Sequence, residues 1–350
     1  GAREPNFICM RCNSYLLAVS AGLLISVSAF SQTPPPQPAN GPGGADYPHA
    51  RVEQLGPYYP SGLSGDDKYR YLVYQPAEPR PKEAPVVLLL HGRSAVSPDY
   101  YLFWIRHLVR KGYLVIWTQF EYFMAPSGDL VSNALVSYSD ALNRIQNDTT
   151  GAYVQPLRDQ NGYLQTAILG HSFGGYLAVV MAARSTESGS SVPVPKLLFG
   201  VNTGNLTLQG SANFSRIPPS TNLVFMVAND DSAACKASTQ ALWALTPQIQ
   251  NRTFLVVNSD SSPEAAVIAH HYYPTIAEPP DTLDYNGLWK ISVAALNCTF
   301  YGQDCEYAFG KGGREQVSMG EWSDGRPFTP LTWAPSPAAV SMACERDRRR

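Results

Sequence analysis

The stretch LQTAILGHSFGGYLAVVMAAR, residues 164–184, passes from one structural pattern to another within a few positions. A short apolar run typical of a buried strand ends at Gly170, and apolar residues at helical spacing follow two further glycines. Between them, Gly-His-Ser-Phe-Gly at 170–174 matches the pattern G-x-S-x-G. Either the glycines only permit a tight turn, or the turn presents Ser172 as a nucleophile.

A serine at the junction of a strand and a helix is well placed for chemistry. A sharp turn lifts its hydroxyl out of the sheet, and flanking glycines remove the side chains that would collide there. The helix that begins at this serine also directs free backbone N–H groups towards developing negative charge. The context therefore favours a nucleophile at Ser172.

Strand-like and helix-like segments alternate on both sides of this stretch. The predicted strands are 69–76, 84–92, 113–120, 164–170, 196–202, 222–229 and 253–259. The predicted helices are 100–112, 133–148, the segment from 172 onward, and 232–245. Such alternation implies crossover connections, and so predicts an α/β fold with a mostly parallel central sheet and helices on both faces. Active groups of such sheets lie at the C-terminal ends of strands.

Composition narrows the function classes. The 350 residues carry a formal net charge of −2, so neither sign of charge is in large enough excess to indicate a nucleic-acid partner. The sequence contains no Cys-x-x-Cys or His-x-x-x-His spacing, so we predict no metal site and no cofactor. The expected partner is a small-molecule or polymeric substrate.

The two ends of the chain are predicted to lie outside the fold. Residues 1–31 have the anatomy of upstream residues and a secretory signal peptide, with an uncharged run over 14–30; an uncleaved membrane anchor is the alternative. Residues 32–50 form a Pro/Gly-rich linker, and 336–350 a tail. A single domain then covers 51–335. We predict a secreted or periplasmic protein, with no membrane association after cleavage.

The cysteines are consistent with export. Cys298 and Cys305 bracket a short glycine-containing loop, and an oxidising compartment would let them form a disulfide. The alternative is a pair of free buried thiols. The sequence gives no assignment for Cys235 or Cys344.

A nucleophilic serine needs a base and an orienting carboxylate. Of the six histidines, four are placed less suitably: in the linker, in a surface helix, at a strand end before Gly92, and directly beside Ser172. The adjacent pair His270 and His271 remains. Asp230 and Asp231 follow the strand 222–229 and precede the histidines, although one of them could instead cap the next helix.

Four sequence motifs together resemble those of the α/β-hydrolase family. They are LLLHG at 88–92, GHSFGG at 170–175, VANDDS at 227–232 and IAHHYYP at 268–274, in that order. The likeness is to dienelactone-hydrolase-like and lipase-like secreted esterases, although dienelactone hydrolases proper carry Cys where this chain has Ser172. The resemblance implies that Ser172, Asp231 and His271 form a catalytic triad, in preference to Asp230 and His270. It also implies that the backbone N–H groups of Phe173 and Arg93 form the oxyanion hole.

These features predict a serine hydrolase that cleaves carboxylic esters through an acyl-enzyme intermediate. A lipase or polyester hydrolase, a peptidase or thioesterase, and an acyltransferase would use the same three residues. A non-catalytic binding module on the same fold is a further alternative. The substrate cleft is expected near Tyr100, Tyr101 and Tyr122, although these tyrosines fit half-buried core positions equally well.

Overall fold

A nine-stranded sheet forms the centre of the protein in a computed structural model that describes residues 31–347 without residue 127 and residues 205–211. In chain order the strands are β1 (Arg51–Tyr58), β2 (Tyr71–Ala77), β3 (Val86–Leu90), β4 (Leu114–Thr118), β5 (Thr166–His171), β6 (Leu197–Val201), β7 (Asn222–Ala228), β8 (Arg252–Val257) and β9 (Thr332–Ala334). Their order across the sheet is β1-β2-β4-β3-β5-β6-β7-β8-β9. Neighbours from β4 to β8 are parallel, whereas the pairs β1–β2, β2–β4 and β8–β9 are antiparallel.

Helices pack on both faces of this sheet. They are α1 (Leu102–Arg110), α2 (Leu130–Gln146), α3 (Phe173–Ser185), α4 (Ala237–Leu245), α5 (Lys290–Tyr301), α6 (Cys305–Phe309), α7 (Arg314–Val317) and α8 (Ala343–Asp347), with a wider π-helical segment, Leu283–Trp289, leading directly into α5. The apolar faces of α2, α3 and α4 join one core cluster, and those of α1 and α5 join the other. The predicted α/β fold with a mostly parallel, doubly covered sheet is confirmed.

Burial on both faces explains the composition of the central strands. All five residues of β3 are buried, with Val86, Leu88 and Leu90 in one core cluster and Val87 and Leu89 in the other. A strand covered on both faces needs continuous apolar sequence, which is why these runs are recognisable without alternation.

The segment 32–50, predicted as a linker, packs against the domain instead. The Tyr47 hydroxyl lies 2.9 Å from His107 Nδ1, and the Arg110 guanidinium stacks over the Tyr47 ring. His107 Nε2 bonds the Pro42 carbonyl at 2.8 Å. Proline and glycine keep this segment from building a core of its own, but its carbonyl groups and one aromatic ring find partners on α1. The domain therefore begins before residue 51.

The tail 336–350 is likewise part of the domain as far as it is described. Met342 and Cys344 are buried, and Cys344 forms a disulfide with Cys235. This packing could not be predicted from the polar C-terminal sequence, because it depends on two buried side chains. The chain from residue 32 onward forms one compact unit.

Several elements differ from the sequence-based prediction. Strands β1 and β9 and the long helical stretch 283–301 were not predicted. The helix predicted from residue 232 begins at Ala237, because residues 231–236 form a loop around the Asp231 carboxylate. The predicted signal peptide lies outside the described residues. Among the helices that are described, none has the length and apolarity needed to cross a membrane.

We predict different effects for alanine at two helical glycines. A Cβ on Gly174 would lie 2.2 Å from the Leu90 carbonyl oxygen, whereas one on Gly287 would make only ordinary van der Waals contacts, the nearest with the Met319 side chain at 3.5 Å. Gly174→Ala should lower the free energy of unfolding by about 2 kcal/mol or more, because backbone must move. Gly287→Ala should be neutral or raise it by up to about 1 kcal/mol through helix propensity. Urea unfolding of both variants checks this, and equal effects would contradict the packing argument.

Candidate active site

Ser172 lies in a strained turn between β5 and α3. Its backbone has φ 53° and ψ −121°, a conformation that side chains rarely adopt and that is retained at functional sites. The turn is closed by hydrogen bonds from Ser172 N–H to the Val201 carbonyl at 2.9 Å and from Gly204 N–H to the Ser172 carbonyl at 3.1 Å. A Cβ on Gly170 would lie 2.2 Å from backbone atoms of Gly174, so the turn is too tight for a side chain there. The arrangement is that of a nucleophile elbow.

The structure brings Ser172, His271 and Asp231 into one hydrogen-bonded row. Ser172 Oγ lies 3.0 Å from His271 Nε2, and His271 Nδ1 lies 2.8 Å from Asp231 Oδ2. In the neutral imidazole these partners correspond to the tautomer in which Nδ1–H donates to the carboxylate and Nε2 accepts from the hydroxyl. Each side chain follows a strand of the sheet, Ser172 after β5, Asp231 after β7 and His271 on the longer connection after β8. The row can pass a proton from the serine to the imidazole.

The Asp231 carboxylate is buried and fully hydrogen-bonded. Besides His271, it accepts the N–H groups of Ala233 and Ala234 on Oδ1, each at 2.8 Å. Burial alone would raise the pKa of Asp231, but the hydrogen bonds and the charge interaction with His271 outweigh it, and the pKa lies below its ordinary value. The carboxylate is therefore ionised at neutral pH and can orient the imidazole.

The rival residues Asp230 and His270 make other contacts. The Asp230 carboxylate accepts from the Ser259 hydroxyl, and the Asp230 N–H bonds the Ala269 carbonyl at 3.1 Å. Asp230 thus ties the loop carrying Asp231 to the loop carrying His271. His270 Nε2 lies 3.4 Å from a carboxylate oxygen of Glu278, at the surface. Neither residue has a described contact with Ser172.

The two backbone groups expected to form an oxyanion hole lie beside the serine. Phe173 is the first residue of α3, so its N–H has no acceptor within the helix. The Arg93 N–H has no hydrogen-bond partner among the described residues. Gly92 precedes it and approaches the serine so closely that a Cβ there would lie 3.2 Å from Ser172 Cβ.

A buried carboxylate, Glu121, holds the loop that carries Arg93. Its Oε1 accepts the Ser94 N–H at 2.6 Å. Its Oε2 lies 2.8 Å from Arg93 Nε, an ion pair in an orientation outside hydrogen-bond geometry. Burial raises the pKa of Glu121, although Ser94 and Arg93 act in the opposite direction. The role of Glu121 could not be predicted from the sequence, since a single Glu after a strand has no recognisable pattern.

His171 connects the loop that carries Arg93 to the backbone of His271. The Gly92 N–H donates to the Tyr101 hydroxyl at 2.8 Å, and that hydroxyl lies 2.9 Å from His171 Nδ1. His171 Nε2 lies 2.8 Å from the His271 carbonyl, which also accepts from Asn202 Nδ2 at 3.0 Å. Burial, with His271 nearby, lowers the pKa of His171 to about 3, so the ring is neutral. His171, adjacent to Ser172 in the sequence, thus holds the backbone of His271.

An open cavity of about 510 Å³ lies over the serine hydroxyl. Its walls include Tyr100, Tyr101, Tyr272 and Ile276, and none of the described residues that line it is acidic. Of the three tyrosines near which the cleft is predicted, Tyr100 and Tyr101 line this cavity; Tyr101 is buried and Tyr100 is exposed. Tyr122 is not part of the lining; its hydroxyl bonds the Asp66 carboxylate.

Two disulfides are present in the described chain. Cys298 is joined to Cys305, the pairing expected from the sequence, and Cys235 is joined to Cys344. The second pairing was not assigned, because its two cysteines are 109 positions apart. Among the residues that the structure describes, no group of three His, Cys, Asp or Glu side chains is arranged to hold a metal ion.

Part of the chain is similar to a known protein family. The family model described as the alpha/beta hydrolase fold matches residues 85–192. The matched region runs from β3 to just beyond α3 and contains Arg93, Ser172 and Phe173, whereas Asp231 and His271 lie after it. No curated protein matches the chain. The family assignment therefore rests on the nucleophile half of the site and on the sheet topology.

We predict that His171 stays uncharged through the neutral and mildly acidic range. Unfolding frees its ring to bind a proton below about pH 6.5, whereas the folded pKa is about 3. Stability should therefore fall as the pH drops from about 6.5 towards 3, because the unfolded chain binds more protons in that window. NMR of the ring carbons should show no His171 titration above about pH 5.

His91 and His107 also have pKa values lowered by burial to about 3, so they contribute to the same acid sensitivity. The variant His171→Asn isolates one contribution, and its unfolding free energy should depend less steeply on pH than that of the wild type. A His171 ring that titrates between about pH 6 and 7 would contradict the neutral hydrogen-bonded chain.

Proposed function

Because the chain belongs to the α/β-hydrolase family, whose fold indicates a hydrolase, we propose that it hydrolyses carboxylic esters through an acyl-enzyme intermediate on Ser172. The observation that carries the proposal is the row from Ser172 Oγ through His271 to Asp231, with its hydroxyl at the floor of an open cavity.

In the first step Ser172 Oγ attacks the carbonyl carbon of the ester. His271 Nε2, 3.0 Å away, takes the hydroxyl proton as the bond forms. Asp231 holds Nδ1–H and stabilises the imidazolium. The tetrahedral intermediate then collapses, and His271 returns the proton to the departing alcohol.

The negative charge on the intermediate is stabilised by the N–H groups of Phe173 and Arg93. Each donor of an oxyanion hole contributes on the order of 3 kcal/mol to transition-state stabilisation. Glu121 keeps the second donor in place through Ser94 and the Arg93 guanidinium. Water then attacks the acyl-enzyme with the same base and the same oxyanion hole, and releases the carboxylic acid.

The cavity suggests which esters fit. Tyrosine, isoleucine, alanine and threonine side chains form most of its described wall, and Arg93 is the one Lys, Arg, Asp or Glu side chain among the described lining residues. Because the Arg93 guanidinium is paired with Glu121, the described part of the wall offers no unpaired Lys, Arg, Asp or Glu side chain for an ionic acyl group. Esters with uncharged acyl groups are therefore the proposed substrates.

Export to an oxidising compartment, as a secreted or periplasmic protein, is supported by the two disulfides.

A second candidate is hydrolysis of aggregated or polymeric esters, as by a lipase or polyester hydrolase. Large exposed apolar side chains surround the cavity mouth: Tyr100, Tyr272 and Ile276 in its lining, and Met124, whose N–H donates to Ser94 Oγ at 3.2 Å. Contiguous exposed apolar surface marks an interaction site. This apolar surface would bind an insoluble ester next to the cavity, and the reaction at Ser172 would be the same.

We predict that ester turnover separates the paired candidates. Ser172→Ala and His271→Ala should lower kcat roughly 10⁴-fold or more, and Asp231→Asn by about 10⁴-fold, because each breaks the row. The matched variants His270→Ala and Asp230→Asn should retain turnover within about tenfold, since neither residue contacts the serine. Hydrolysis of a short-chain p-nitrophenyl ester measures all five.

Labelling by a serine-reactive phosphonate provides the control. It should modify Ser172 in the wild type and in Asp230→Asn, and should fail in Ser172→Ala. An active Ser172→Ala variant would overturn the assignment, and a folded wild type that neither reacts nor turns over would favour the non-catalytic binding module.

The second candidate predicts a different response at the cavity mouth. Met124→Ser should bind less to an emulsified or polymeric ester, because apolar contact area is lost, while kcat/KM for a soluble short ester changes less than about threefold. Tyr163→Ser is the control: Tyr163 is similarly exposed but precedes β5, roughly 20 Å of strand from the serine. Equal loss of binding in both variants would remove support for action at an ester surface.

A further inference from the structure

The position of the Asp231 carboxylate depends on the loop that carries it. We define the acid loop as residues 229–236, between β7 and α4. Within it, the N–H groups of Ala233 and Ala234 hold Asp231 Oδ1, so the direction of Oδ2 towards His271 follows the backbone of the loop. A loop of this length has no ladder of its own, and loops are the segments that open most readily. Something outside the loop must hold its two ends.

The N-terminal end of the acid loop is held by residues near the C-terminus. The Cys344 N–H donates to the Asn229 carbonyl at 3.0 Å, and the Ala343 N–H donates to Asn229 Oδ1 at 2.8 Å. Asn229 itself continues the sheet through its N–H to the Val257 carbonyl at 2.8 Å. The first turn of α8 is thereby attached two residues before Asp231.

The C-terminal end of the acid loop is held by the same segment. Cys235 is joined to Cys344 by a disulfide, and both residues are buried. The neighbouring Lys236 ammonium donates to the Val340 carbonyl and lies 3.4 Å from the Glu345 carboxylate. The chain is thus held four residues after Asp231 by a disulfide and five residues after it by a hydrogen bond and an ion pair.

We propose that residues 340–345, the C-terminal clasp, position the catalytic carboxylate, with Cys344 as the positioning residue that acts through the acid loop. The clasp holds the loop on both sides of Asp231 and touches neither His271 nor Ser172 in any described contact. The inference rests on the proposed function, since it assigns a role to the tail within the same triad.

The other disulfide offers a matched control. Cys298 and Cys305 are only seven positions apart, at the junction of α5 and α6. The end of α5 contacts the beginnings of strands: Asn222 Nδ2 at the start of β7 donates to Thr299 Oγ1 at 2.8 Å. Ser172 and Asp231 follow the ends of strands, so this disulfide lies at the opposite edge of the sheet.

The test compares Cys235→Ser with Cys344→Ser against Cys298→Ser with Cys305→Ser. Both double variants are assayed well below their unfolding temperatures, with the full chain and a soluble p-nitrophenyl ester. We expect the first to lower kcat about 10- to 100-fold while KM stays within about twofold, because misplacement of the carboxylate affects the transition state and leaves the cavity intact. The second should leave both parameters unchanged.

Hydrogen exchange gives a readout independent of catalysis. The amides of Ala233 and Ala234 are protected by Asp231 in the wild type and should exchange faster in Cys235→Ser/Cys344→Ser only. If the wild type hydrolyses no ester, the proposed function fails, whereas altered exchange would still support the clasp.

A folded Cys235→Ser/Cys344→Ser variant with wild-type kcat and wild-type exchange would overturn the proposal. Should that variant not fold, Lys236→Met keeps the disulfide and removes only the contacts with Val340 and Glu345. It is expected to lower kcat about threefold and to speed exchange of the same amides. Unchanged kcat and exchange in Lys236→Met would likewise overturn the clasp.

Discussion

The imidazole of His271 is hydrogen-bonded on both ring nitrogens, to a serine after β5 and to a carboxylate after β7. The surrounding contacts support that arrangement, because the ring can make both bonds only when the hydroxyl and the carboxylate each lie within hydrogen-bond distance of it. The parallel sheet supplies the coarse placement by bringing the C-terminal ends of its strands to one edge. The strained turn at Ser172 then raises the hydroxyl into reach of the ring.

Fine placement comes from buried polar contacts around the three residues. The backbone carbonyl of His271 accepts from both His171 and Asn202, and Asp230 links the two loops that carry the base and the acid. These groups are buried or partly buried, where an unpaired polar atom would cost about 1–3 kcal/mol. Asp230 and His171 are thus not members of the hydrogen-bonded row, but their contacts hold the backbone that carries it.

The sequence was sufficient for the fold because double burial forces continuous apolar runs, as in β3 and β5, and glycines mark the turn between β5 and α3. It was not sufficient to separate Asp230 from Asp231, since both follow the same strand and only the turn of the backbone decides which carboxylate meets the imidazole. The segment 32–50 was misjudged for a related reason: composition shows that it cannot form a core of its own, but not that α1 offers it partners. The disulfide between Cys235 and Cys344 joins distant positions, so no local sequence pattern predicts it.

The proposed mechanism requires that Ser172 becomes covalently acylated during turnover. Rapid acid quenching of the enzyme with a p-nitrophenyl ester, followed by peptide mass spectrometry, tests it directly. We predict a mass increase equal to the acyl group on the peptide that contains Ser172, formed within the first turnover and absent in Asp231→Asn on the same timescale. Ester hydrolysis that proceeds with Ser172 unmodified, or with the acyl group on another residue, would contradict it.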